Sequence, residues 1–243
     1  MSKNVLDIIN QVNIHGDSAL ITMINKHDKI KCSSLENIKI ENKLLKKAFD
    51  DLPIDLKNAM KLASNRIKAF HEKQKLSGFD YVDEIGVNLG LKYSPIERVG
   101  FYTPGGKALY PSSVLMNAIP ALVAGVEERV LVSPINIEKS SEILLAAAYL
   151  AEVTEFYRMG GAQAIAALAF GTEKLKKVDK IVGPGNAYVA EAKRQLFGKV
   201  GIDSVAGPSE VLIVADKINK PEWIALDLLS QAEHDENAQS ILI

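Results

Sequence analysis

Glu155-Phe-Tyr-Arg-Met-Gly-Gly-Ala-Gln-Ala-Ile-Ala-Ala-Leu-Ala-Phe-Gly171 holds three kinds of segment in one run. Glu155 to Met159 is short and rich in aromatic and apolar residues, which predicts a strand. Gly160-Gly161 breaks it. Ala162 to Phe170 is a run of strong helix formers, stopped by Gly171. A strand, a glycine turn and a helix make the repeating unit of a parallel sheet.

The same unit recurs on both sides. Upstream, Arg98 to Tyr102 reads as a strand turned by Pro104-Gly105-Gly106, and Ser112 or Ser113 is placed to cap a helix running to Gly125. Arg129 to Ser133 is a strand and Ile137 to Ala151 a helix. Downstream, Lys180-Ile-Val182 is a strand ended by Gly183-Pro-Gly185, and Asn186 caps a helix to about Phe197. Val211 to Val214 is a strand, Pro221 opens a helix to about His234, and Ser240 to Ile243 begins another apolar strand. A natural terminus is usually polar and loosely held, so an ending of this kind suggests a chain cut short. The fold class expected is α/β, with a parallel sheet covered on both faces.

Residues 1–78 form a helical N-terminal region, read as an appendage or dimer-contact region. Val5, Ile8, Ile9 and Val12 recur at helical spacing, as do Leu56, Met60, Ala63, Ile67 and Phe70. Between Tyr81 and Tyr93 the alternation predicts a hairpin around Gly86 to Gly90. The remaining α/β region spans 79–243 and carries the candidate chemistry.

Net charge is −1 over 243 residues, and Lys and Arg are dispersed, so the footprint of a nucleic-acid binder is missing. The four lysines between Lys174 and Lys180 read as a solvated helix end. The one cysteine, Cys32, excludes an internal disulfide and fits a reducing compartment. Apolar runs fall short of the roughly 20 residues a membrane span needs. The first residues lack a signal-peptide h-region. The expected location is the cytoplasm, with no membrane partner.

Ligands of parallel sheets sit beyond the carboxyl ends of the strands. Those ends carry Tyr102-Thr-Pro-Gly-Gly106, Met159-Gly-Gly-Ala-Gln163, Gly183-Pro-Gly-Asn186 and Ala206-Gly-Pro-Ser-Glu210. Glycine turns let backbone amides approach an anion, and helix N-termini favour it. Two standard phosphate motifs fail. Tyr188 stands where the dinucleotide fingerprint has its third glycine, and Gly106-Lys107 lacks the P-loop spacing. Further along, Gln231 and His234 are three positions apart at a helix end, a spacing that shares one face and could offer two ligands to a metal. Each candidate has a plain structural reading as well. Tyr102 fits a half-buried strand end, Gln163 a helix start, Asn186 an N-cap, Ser209 a turn cap and His234 a surface histidine.

Six stretches in order closely resemble the histidinol dehydrogenase family. They are Glu97 to Gly106, Pro111 to Pro120, Gly160 to Ala169, Gly183 to Val189, Ala206 to Glu210 and Asp227 to His234. The likeness covers about residues 97–243. It implies Rossmann-like, aldehyde-dehydrogenase-like units and a homodimeric zinc enzyme. That enzyme oxidises L-histidinol to L-histidine through the aldehyde with NAD. By motif position it implies that Tyr102, Gln163 and Asn186 contact NAD and that Ser209 contacts substrate. Gln231 and His234 are implied to ligate zinc and face the substrate. The family's proton-transfer Glu-His pair and its remaining zinc ligands, an Asp and a His, lie beyond Ile243. Activity and zinc affinity are therefore expected to be poor for this chain alone. The alternatives are a non-catalytic truncated remnant that keeps a nucleotide pocket or dimer surface, and a zinc dehydrogenase of another amino alcohol. Cys32 lies far upstream in sequence and is not expected to act as a nucleophile. His15, His27 and His71 fall outside every motif and receive no role.

Overall fold

The computed structural model describes residues 1–28, 30–105, 109–136, 141–205, 210–233 and 238–243. Their contacts cluster into two compact units, Met1–Ser204 and Val205–Ile243.

The first unit opens with α1 (Ser2–Met23), which leaves helical geometry at Gly16 and continues into a π-helical turn, Ile24–Asp28. A short 3₁₀ turn, Leu35–Ile38, is capped by Ser34, whose hydroxyl accepts from the Glu36 amide. A two-residue strand β1 (Lys39–Ile40) follows, then α2 (Asn42–Asp50) and α3 (Ile54–Glu72). Strands β2 (Phe79–Val82) and β3 (Asn88–Leu91) pair antiparallel as the expected hairpin. The Asp83 carboxylate ties its turn by accepting from the Ile85 and Val87 amides.

From there the alternation runs much as its residues predict. Strand β4 (Arg98–Tyr102) leads to α4 (Pro111–Ala124), and β5 (Glu128–Val132) to α5 (Glu142–Leu150). Strand β6 (Glu155–Tyr157) leads to α6 (Gly161–Phe170), β7 (Lys180–Val182) to α7 (Ala187–Leu196), and the unit ends on β8 (Gly201–Ile202). The central sheet has the order β1-β6-β5-β4-β7-β8. All neighbours pair parallel except β1, which runs antiparallel to β6 with Ile40 opposite Phe156.

Strand alternation divides the core into two layers. Val99, Phe101, Leu131 and Phe156 face one layer, where α2, α3, α4 and α5 supply Leu45, Phe49, Met60, Ile119 and Leu144. Tyr102, Val130, Val132, Tyr157 and Ile181 face the other, filled from α1, α6 and α7 by Val5, Ile9, Val12, Leu20, Ile165, Leu168 and Val189. The N-terminal helices are thus part of the three-layer sandwich, not an appendage. Val5, Ile9 and Val12 of the α1 stripe are buried, whereas of the α3 stripe Met60 is buried, Leu56 and Ile67 are half-buried, and Ala63 and Phe70 are exposed.

Three local details differ from expectation. Helix α4 starts with Pro111 in its first turn after Tyr110, so Ser112 and Ser113 lie inside the helix and cap nothing. Proline's fixed φ and missing N–H suit that first position. The segment from Lys174 to Lys180 is not a helix end. It is a connection leading into β7 whose lysines are exposed while Leu175 and Val178 are buried, with Lys174 paired to Glu36. The helix expected from Ile137 begins at Glu142 among the described residues, and 137–140 lie outside them.

In the second unit, β9 (Glu210–Ile213) and β10 (Gln239–Leu242) pair parallel, joined by α8 (Pro221–Ala232). The expected strand at the chain end is β10. The helix expected to reach His234 ends at Ala232, and His234 falls outside the described residues.

Candidate functional site

The sheet order reverses at β4. Its successors β5 and β6 lie to one side and β7 and β8 to the other. In open parallel sheets the crevice at such a reversal is where a ligand sits. Tyr102 ends β4, and Gly183 follows the end of the adjacent β7. Gly183 has φ +109°, and a Cβ there would lie 2.1 Å from the Tyr102 carbonyl oxygen. Only glycine allows the two turns to back onto each other this closely.

Tyr102 is also tied to the turn after β6. Its side chain is buried, and its Oη accepts a hydrogen bond from the Gly161 amide at 3.2 Å. Burial pushes the phenol up to about 12, against the opposing effect of the Gly161 bond. The hydroxyl therefore keeps its proton at neutral pH. With Oη already accepting, that proton remains to be donated.

Gln163 sits one helical turn into α6, 3% exposed. Its Nε2 lies 3.4 Å from Oδ2 of Asp28, and the same oxygen accepts from the Gly160 amide at 3.2 Å. Burial raises the Asp28 pKa, while the Gly160 and Gln163 hydrogen bonds and the neighbouring His27 pull it down less strongly. Asp28 was not singled out from sequence, because nothing around it forms a motif. Its position depends on a contact 132 residues away. The bond fixes the Gln163 amide so that Oε1 is its open acceptor.

Asn186 caps α7, its Oδ1 accepting from the Tyr188 and Val189 amides at 3.0 and 3.2 Å. This is the plain structural role its position allowed. The residue is exposed, and Nδ2 is its remaining donor.

Several of the turn amides are already engaged. The N–H groups of Gly160, Gly161, Gly183, Tyr188 and Val189 are all given to protein oxygens. The turns also offer a ligand side-chain chemistry: the Tyr102 hydroxyl, the Gln163 carbonyl and the Asn186 amide. Two fully buried hydroxyls, Thr103 after β4 and Ser133 after β5, have no hydrogen-bond partner among the described residues. Their sequence signal is a hydroxyl residue directly following an apolar strand in neighbouring units. The groove of about 430 Å³ lined by Lys177 to Asp179 and Phe197 to Gly201 lies at the opposite edge, where β7 and β8 begin.

Cys32 stands closer to this region than its sequence position suggests, since the Asp28 charge acts on it. Burial pushes its thiol up, with Asp28 adding to the rise and Arg158 opposing it. A thiol held protonated is a poor nucleophile.

The family model for histidinol dehydrogenase matches residues 1–243. The chain belongs to the histidinol dehydrogenase family. It is 51% identical over 243 residues to a histidinol dehydrogenase of Dechloromonas aromatica, covering all of this chain and 56% of that protein. It is 52% identical over 239 residues to one of Neisseria meningitidis serogroup A, again spanning 56% of the relative. The crystal structure of histidinol dehydrogenase from Elizabethkingia anophelis superposes with a TM-score of 0.89 at 39% identity. That match covers 99% of this chain and 55% of that one. The chain thus spans about half the length of the relatives it matches.

A histidinol dehydrogenase is expected to hold zinc, and the described residues answer that only in part. Gln231 lies in the last turn of α8, and Ser209 and His234 fall outside the described residues. Among the described residues no group of three or more His, Cys, Asp or Glu side chains is placed to hold a metal. One glutamine oxygen is too weak a donor set to anchor zinc.

Proposed function

We propose that this chain supplies the nucleotide-binding part of a histidinol dehydrogenase, which oxidises L-histidinol to L-histidine through histidinaldehyde with NAD as hydride acceptor. The observation that carries the proposal is the convergence of Tyr102 and Gln163 on the turn 160–163, with the Asn186 turn backed against Tyr102, at the point where the strand order reverses. Family membership over the whole chain supports the chemistry.

In this reading Tyr102 donates its hydroxyl hydrogen to the nucleotide, the Gln163 carbonyl accepts from it, and the exposed Asn186 amide donates to it. These side chains add to whatever backbone amides the helix N-termini leave for the nucleotide. NAD, when bound, takes up the hydride. Gln231 and His234 are proposed as zinc ligands that also face the substrate, and Ser209 as a substrate contact. The proton-transfer pair belongs to sequence that the relatives carry outside the matched span. We place the assembled enzyme in the cytoplasm as a homodimer, following the family resemblance. Among the described residues no helix is long and apolar enough to cross a membrane.

Calorimetric titration of the 243-residue chain with NAD tests the nucleotide assignment. Saturable binding weakened by Asn186→Ala supports it, and binding indifferent to Tyr102→Phe, Gln163→Ala and Asn186→Ala refutes it. An NADH absorbance assay with L-histidinol tests the division of labour, because turnover by residues 1–243 alone contradicts a proton-transfer pair lying outside them.

A further inference from the structure

One ion pair, between the buried Lys193 and the exposed Asp203, takes up both backbone polar groups of Gly183. Lys193, on α7, is 2% exposed, and its Nζ pairs with Oδ1 of Asp203, just past β8. The same ammonium donates to the Gly183 carbonyl at 3.0 Å, and Oδ2 of Asp203 accepts the Gly183 amide at 2.8 Å. Asp203 Oδ1 also accepts the amide of Ser204.

Such a pair is weak evidence for stability, because desolvating the ammonium offsets part of the attraction and solvent at Asp203 screens the rest. Here the pair does something an apolar pair could not. Gly183 sits in the left-handed region, with no room for a Cβ against the Tyr102 carbonyl. Its N–H and C=O would otherwise have to find partners in a crowded turn. Lys193 lies on the helix that Asn186 caps, so the ammonium also fixes how that helix meets the turn. The pair therefore joins β7, α7 and the end of β8 around the segment from Gly183 to Asn186.

We propose that Lys193 and Asp203 are positioning residues for the nucleotide site. They hold the Gly183-Pro-Gly-Asn186 turn against Tyr102, so that Asn186 presents Nδ2 in register with the Tyr102 hydroxyl. This rests on the nucleotide reading above and goes beyond it, since neither residue touches the ligand.

The test compares the 243-residue chain with Lys193→Met, Lys193→Arg and Asp203→Asn by two readouts. The first needs no ligand: amide hydrogen exchange by NMR at Gly183, Tyr188 and Val189, with Phe101 and Leu131 reporting the sheet. Lys193→Met and Asp203→Asn lose protection at the three turn amides while Phe101 and Leu131 keep theirs, and Lys193→Arg restores part of it. The second is NAD affinity. Losing a charge-assisted anchor weakens it about tenfold, and combining Lys193→Met with Asn186→Ala is no worse than either alone. Uniform loss of protection across the sheet, or wild-type NAD affinity in a folded Lys193→Met chain, overturns the positioning claim. Failure of the unaltered chain to bind NAD overturns the nucleotide reading and this inference with it.

Discussion

The Tyr102 hydroxyl accepts the amide hydrogen of Gly161 at 3.2 Å, joining the end of β4 to the start of α6 across the intervening β5. The bond makes Tyr102 both a brace and a donor. Tyr102→Phe removes the acceptor from an amide in a crowded turn and is expected to cost about 1–3 kcal/mol. Urea denaturation measures that cost, and calorimetry measures an accompanying loss of NAD affinity.

Glycine at 183 is required twice, by its φ and by the absence of a Cβ. Gly86, with φ +87° in the β2–β3 turn, is required only by φ, since a Cβ there would meet nothing within 4 Å. Gly86→Ala should therefore cost about 1–2 kcal/mol from backbone strain alone. Gly183→Ala should cost clearly more, because the Tyr102 carbonyl must also move. Thermal melting of the two variants side by side checks the order.

The Asp28 carboxyl has its pKa raised above 3.8 by burial. A carboxyl raised in the folded state burdens the fold while ionised, and that burden is relieved as pH falls through the raised value. Asp28→Asn removes the titration and keeps an oxygen able to accept the Gly160 amide. The stability of the wild type relative to this variant should improve as pH is lowered from about 7 to about 4. A difference that stays flat or moves the other way contradicts the assigned shift.

Glu155 behaves oppositely. Burial pushes its carboxyl up, but hydrogen bonds from Arg98, Tyr157 and Lys39 outweigh that and hold it at about 2. A depressed carboxyl stabilises above its ordinary value of 4.5, and that stabilisation is lost as pH falls toward about 2. Glu155→Gln should lower stability at neutral pH by about 1–3 kcal/mol, because Arg98 is nearly buried and loses a charged partner. It should also flatten acid unfolding in that window, as circular dichroism followed against pH would show.

Much of the sheet was readable because the units from β4 to α7 carry local signals: short apolar strands, glycine turns after β4, β6 and β7, and the Asn186 cap of α7. The missed strands, β1 and β8, are two residues each and leave no periodic trace. Their pairing is set by neighbours far along the chain. The stripes of α1 and α3 were visible, whereas their packing against α6 and α4 was not, since a stripe does not name its partner. The same limit applies at the site. Tyr102, Gln163 and Asn186 stood on recognisable turns. Asp28, Lys193 and Asp203 act through contacts that only the assembled sheet creates.

The central claim is that the turns ending β4, β6 and β7 hold one nucleotide. The most direct measurement is NAD titration of the isotope-labelled chain followed by amide chemical-shift changes. Saturable shifts concentrated at residues 102–105, 160–163 and 183–189 are expected. Shifts centred instead on the groove at 177–179 and 197–201, or none at saturating NAD, would contradict it.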